Sequence, residues 1–105
     1  MALTYVGLGV IVSVATVSTL YTAGADGTII KGVRASAITT DNDLTLEVQM
    51  DGSTIHTLGT VSAVGDGASV ELVWRNIHLD NTDVLRVTQS GATTVHYWIS
   101  YSVAS

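Results

Sequence analysis

Apolar and polar residues alternate with a period of two through most of the chain. In Asp43–Met50, Leu44, Leu46, Val48 and Met50 fall on one phase while Thr45, Glu47 and Gln49 fall on the other. In Thr94–Val103, Val95, Tyr97, Ile99, Tyr101 and Val103 alternate with His96, Trp98, Ser100 and Ser102. Such alternation marks strands with one dry and one wet face. No eleven-residue window follows a helical period. Turn chemistry separates the runs: Asp26-Gly27, Asp51-Gly52 and Asp66-Gly67 have the composition of tight hairpin turns, and Asp41-Asn42-Asp43, Asp80-Asn81 and Ser90-Gly91 supply further breaks. These signals predict strands near 3–14, 17–22, 28–39, 43–50, 53–64, 68–75, 76–79, 82–89 and 93–103, with Gly9, Gly32 and Gly59 as places for bulges. The expected fold is all-β: one domain over 1–105, an antiparallel, jelly-roll-like β-sandwich of eight to nine strands.

The first twenty residues depart from the simple pattern, being uncharged and apolar on both phases. A strand of this kind is expected to be covered on both sides, by the middle of the sandwich or by another chain. Val10, Val12 and Val14 are therefore candidate interface residues. A signal peptide is not expected, because no Lys or Arg precedes Lys31 and the basic leader is missing. The hydroxyls and glycines in this stretch argue against a membrane span as well.

Composition narrows the chemistry. The 105 residues hold 15 Val, 7 Ile and 15 Thr, so 37 are β-branched, which suits the thin space between two sheets. There is no cysteine, hence no disulfide, thiolate nucleophile or cysteine-based zinc site within them. Four basic against nine acidic residues give a net charge of −5, which excludes a nucleic-acid footprint. No enzyme is expected. His56, His78 and His96 show no metal-ligand spacing, no GxSxG holds a serine, and the most plausible carboxylate pair, Glu47 and Glu71, lies on polar phases. The oxygen-rich runs Asp41–Asp43 and Asp80–Asp83 read as turns before calcium loops, since neither matches an EF-hand. Gly7-Leu8-Gly9 and Gly24–Gly27 lack a phosphate-binding pattern. No cofactor or metal is expected.

The aromatics are more informative. Tyr97 and Tyr101 share the apolar phase of the last strand, which leaves His96 and Trp98 on the opposite face as candidate interface residues. An outward Trp98 is either buried by an N-terminal strand or another subunit, or it serves as a sugar platform or contact anchor. Trp74 alternates with Leu72 and Val70 and is expected in the core, with Arg75 on the other face near an acid.

Two stretches carry a family resemblance. Ser18–Ser36, with Thr19-Leu20-Tyr21-Thr22 followed by Ile30-Lys31-Gly32-Val33-Arg34, is similar to the opening of small tailed-phage virion proteins, and Ile77–Val87 resembles a later segment of theirs. The usual Pro-Ala-Gly turn is replaced here by Ala23–Gly27. The resemblance covers about a third of the chain, set against a single-domain length. It implies a capsid cement or decoration protein, or a tail accessory, located on the virion. The implied partners are the major capsid protein or another virion protein and further copies of the chain, with a trimer favoured. The alternative is a non-catalytic module recognising carbohydrate or a receptor on a phage tail or cell surface through Trp98 and His96.

Overall fold

A computed structural model describes residues 3–38, 42–50, 53–63, 68–72 and 76–104. Nine strands form: β1 (Leu3–Val12), β2 (Val17–Thr22), β3 (Thr28–Ile38), β4 (Asn42–Met50), β5 (Thr54–Ala63), β6 (Ala68–Glu71), β7 (Ile77–Leu79), β8 (Val84–Gln89) and β9 (Val95–Ala104). They build two antiparallel sheets, one in the order β1-β9-β3-β6 with β7 also on β3, the other in the order β2-β8-β4-β5. Without β7, the pairs β1·β9, β2·β8, β3·β6 and β4·β5 are those of one long ribbon folded back on itself. Curling that ribbon adds the contacts β3·β9 and β4·β8 and yields the jelly roll.

This connectivity corrects one expectation. Asp26-Gly27 makes a tight turn, with Gly27 at φ 76° and its N–H donating to the Gly24 carbonyl at 3.0 Å. The turn nevertheless joins β2 to β3, which lie in different sheets, so it is a crossover and not a hairpin. Between β4 and β5 a hairpin does form, closed by Ser53 N–H donating to the Met50 carbonyl. Asp-Gly chemistry specifies a reversal and leaves open which sheet receives the next strand. Asp51-Gly52 and Asp66-Gly67 themselves lie outside the described residues.

The inward phases interdigitate as the alternation requires. Leu44, Leu46 and Val48 of β4 meet Leu85 and Val87 of β8 and, across the sandwich, Ile30, Val33 and Ala35 of β3 and Val95, Tyr97 and Ile99 of β9, all buried. Trp74 and Arg75, assigned from sequence to core and surface, lie outside the described residues.

One end of the sandwich is closed by buried amides. Gln89 Nε2 donates to the carbonyls of Val14, Gly91 and Thr93 at 3.3, 3.2 and 3.1 Å, and Tyr97 Oη donates to Gln89 Oε1 at 2.8 Å. Asn42 Nδ2 donates to the Gly91 carbonyl and Thr93 Oγ1, and its Oδ1 accepts from Ser90 Oγ and Gly91 N–H. The two side chains thus satisfy backbone groups of the loop 90–94 and the exit of β1, and these partners are what allow both polar side chains to be buried. The network also ends β1 at Val12, short of the expected 14.

Candidate functional site

Strand β1 resolves the question raised by the uncharged N-terminus. It lies at the edge of its sheet, not in the middle, and pairs with β9 from Leu3↔Ala104 to Val12↔Val95. Val6, Leu8, Val10 and Val12 take the inward phase, while Tyr5, Gly7, Gly9 and Ile11 face outward and are exposed. Val12 is a core residue and Val10 packs half-buried against that core. Val14 beyond the strand, His96 and Trp98 are exposed. The structure therefore separates the five candidate interface residues into two that hold the fold and three on the surface.

Trp98 is 54% exposed and leans across the edge strand. Its neighbours on the outward face are Gly9 of β1 and Arg34 of β3. A methyl group on Gly7 would occupy the space of Trp98 Cζ2, whereas one on Gly9 would meet Trp98 Cε3 at an ordinary 3.6 Å. The indole thus covers the backbone of a strand that carries no side chain there, an aromatic cap on edge glycines. The opposite side of Trp98 opens into a shallow depression of about 310 Å³ with Gly9, Ile11, His96 and Ser36 along it.

A second open edge sits on the far flank. Strand β5 ends its sheet, every side chain from Ser53 to Thr60 is exposed, and Ile55 and Leu58 are each 46% exposed. Leu58 occupies a bulge, where the register against β4 slips between Leu46↔Gly59 and Glu47↔Thr57. β5 touches β6, which closes its sheet at the end away from β1. The β1 and β5 edges therefore lie on opposite sides of the molecule. Both are ten residues long, and neither contains Asp, Glu, Lys, Arg or Pro, the residues by which edge strands are usually blunted. The sequence reading found the apolar N-terminus but missed β5. Its signal was the same absence of charge, hidden by ordinary alternation.

The remaining candidates are dispersed over different strands and turns. Glu47 and Glu71 belong to different sheets. Glu47 Oε1 accepts from Thr88 Oγ1 at 3.0 Å and lies 3.6 Å from Arg86 Nε, while Glu71 pairs with Arg34 at 2.9 Å. His56, His78 and His96 are exposed on β5, β7 and β9, and no cluster of three metal-ligating side chains occurs among the described residues. In the turn 80–83, Asp83 Oδ2 accepts from Asp80 N–H at 3.0 Å and Thr82 takes φ 73°, so Asp83 caps the turn from a buried position. Burial pushes the Tyr97 phenol well above its ordinary value, and burial next to Tyr21 raises that of Tyr101.

No protein-family model and no curated protein matches the chain. Among solved structures it is similar to a chain of the Bacillus endospore appendages, described as a novel family of disulfide-linked pili. The TM-score is 0.55 at 13% identity, over 98% of this chain and 87% of that one. This whole-length likeness overturns the virion resemblance, which rested on two short stretches. Those stretches are β2, its turn and β3, and then β7, its turn and β8, elements whose composition converges in any sandwich of this type. Capsid cement or decoration, the major capsid protein as partner and a place on the virion are accordingly withdrawn.

Proposed function

We propose that this chain is a non-catalytic structural subunit that polymerises with copies of itself into a surface fibre, of the kind formed by the endospore appendages whose fold it shares. The observation that carries this reading is the pair of long, uncharged, proline-free edges on opposite flanks. An open edge offers a row of unpaired N–H and C=O groups to any strand that can lie beside it. Joining the β1 edge of one copy to the β5 edge of the next uses two different patches, a heterologous contact that repeats without exhausting itself. Edges on opposite flanks make each copy extend the last, which favours an open chain over the closed trimer expected from sequence.

The pili of the similar chain are disulfide-linked, whereas these 105 residues contain no cysteine. Junctions formed by these residues hold by strand pairing and apolar contact alone. Sedimentation and negative-stain microscopy across a concentration series test the proposal. Fibres that appear with rising concentration and persist in reducing agent are expected. A monomer at millimolar concentration refutes it.

A further inference from the structure

We propose that the depression beside Trp98 is a socket for one side chain of the next copy, Ile55 on its β5 edge, and that it sets the register of the junction. The inference rests on the edge-to-edge reading above and deepens it. When a strand adds to an open edge, its main chain gives affinity in any register, and pockets for alternate side chains decide which register is used. The depression is continuous with the open edge, since Gly9 and Ile11 belong to β1 itself. It exists because two outward positions carry little, Gly9 having no side chain and Ser36 a small one, and because the Trp98 indole leans toward Gly7.

What enters must be large, apolar and uncharged. The walls are an indole and an isoleucine, and the polar rim of His96 and Ser36 is partly engaged, with Ser36 Oγ donating to the His96 carbonyl at 3.5 Å. The open edge on the other flank offers such a group. Ile55 stands opposite Gln49, on the outward phase of β5, with nearly half of its surface open to solvent. Leu58, equally exposed, sits in the bulge, where regular strand pairing is interrupted.

Gly9→Val tests this by filling the depression at a position where a Cβ meets only ordinary contacts at 3.6 and 3.7 Å. Unfolding of the dilute, unassembled variant verifies that it folds. The critical concentration for assembly, read by sedimentation, should rise about tenfold for Gly9→Val and by a similar factor for Ile55→Ala, a change of about 1.4 kcal/mol per junction. The double variant should lose little more than either alone, since one filled socket removes one contact. His56→Lys, an inward-phase charge on the β5 edge, serves as the assembly-negative control. If it blocks assembly while Gly9→Val assembles like the parent, or if the two losses simply add, the socket is wrong and the edge reading survives. If His56→Lys also assembles normally, both fall. Retention of the dilute parent on a glycan array, abolished by Gly9→Val, overturns the proposal in favour of a sugar in the depression.

Discussion

Gly7 and Gly9, two residues apart on the same strand and the same face, should respond to alanine with opposite signs. Neither has the positive φ that would penalise a side chain, so the difference comes only from what each methyl meets. At Gly9 the methyl finds room, and removing glycine from the unfolded chain should stabilise the domain by about 0.5–1 kcal/mol. At Gly7 it displaces the Trp98 indole. With about half of that side chain covered, roughly 100 Å² of apolar surface is at stake, or about 2.5 kcal/mol at 25 cal/mol per Å² if the ring swings fully into water. Subtracting the same backbone gain leaves a net loss of about 1.5–2 kcal/mol. Urea unfolding at concentrations too low for assembly measures both variants, because association would add stability by mass action. Tryptophan emission should shift to the red for Gly7→Ala alone. Equal effects at the two glycines, or an unchanged spectrum in Gly7→Ala, would mean that Trp98 does not lie on β1.

Three further outcomes test the interior. Gln89→Leu removes the acceptor of Tyr97 and the donor to three loop carbonyls, and should cost about 3 kcal/mol in chemical unfolding, while Gln89→Leu combined with Tyr97→Phe should cost less than the sum. Glu47→Ala should destabilise by about 2–3 kcal/mol, since it strands Arg86 at 17% exposure, whereas Glu71→Ala, whose pair with Arg34 is half in solvent, should cost under about 1 kcal/mol and become silent in high salt. The raised phenol of Tyr97 keeps its proton in the folded state after the unfolded chain has lost it. The stability this gives is complete below pH 10 and falls as pH rises beyond, by about 1.4 kcal/mol per unit and per tyrosine, and Tyr97→Phe should flatten that part of the decline in a urea series from pH 9 to 11.5.

The strands were legible because inward and outward residues alternate without interruption in β4, β8 and β9, where a shift of one residue would drive Leu44, Leu85 or Tyr97 into water. The bounds near 80–84 and 90–95 were less so. There, Asp83 caps its own turn from a buried position, and Gln89 imposes its geometry through a hydrogen bond to the distant Val14 backbone that no local pattern announces. The surface was harder still. Apolarity on both phases of β1 is a statement about cover, and an edge strand with an outward Ile11 and an aromatic cap satisfies it as readily as a central one. The resemblance to virion proteins misled for a related reason: Thr19–Thr22 and Ile30–Arg34 are what a strand, a left-handed glycine at 27 and a second strand demand, whatever the assembly. The β5 edge was invisible because exposure of Ile55 depends on which strand fails to arrive beside it, a property of topology alone.

A mixing experiment tests the edge-to-edge junction most directly. Tyr5→Lys places a charge on the outward phase of the β1 edge, and His56→Lys places one on the inward phase of the β5 edge, both at exposed positions that the fold does not need. Each variant alone should remain monomeric, because every junction needs one edge of each kind. Mixed in equal amounts, the two retain one intact β5 edge and one intact β1 edge between them, so sedimentation should show one-to-one dimers and no longer species. Monomers in the mixture, or fibres from either variant alone, would contradict the account.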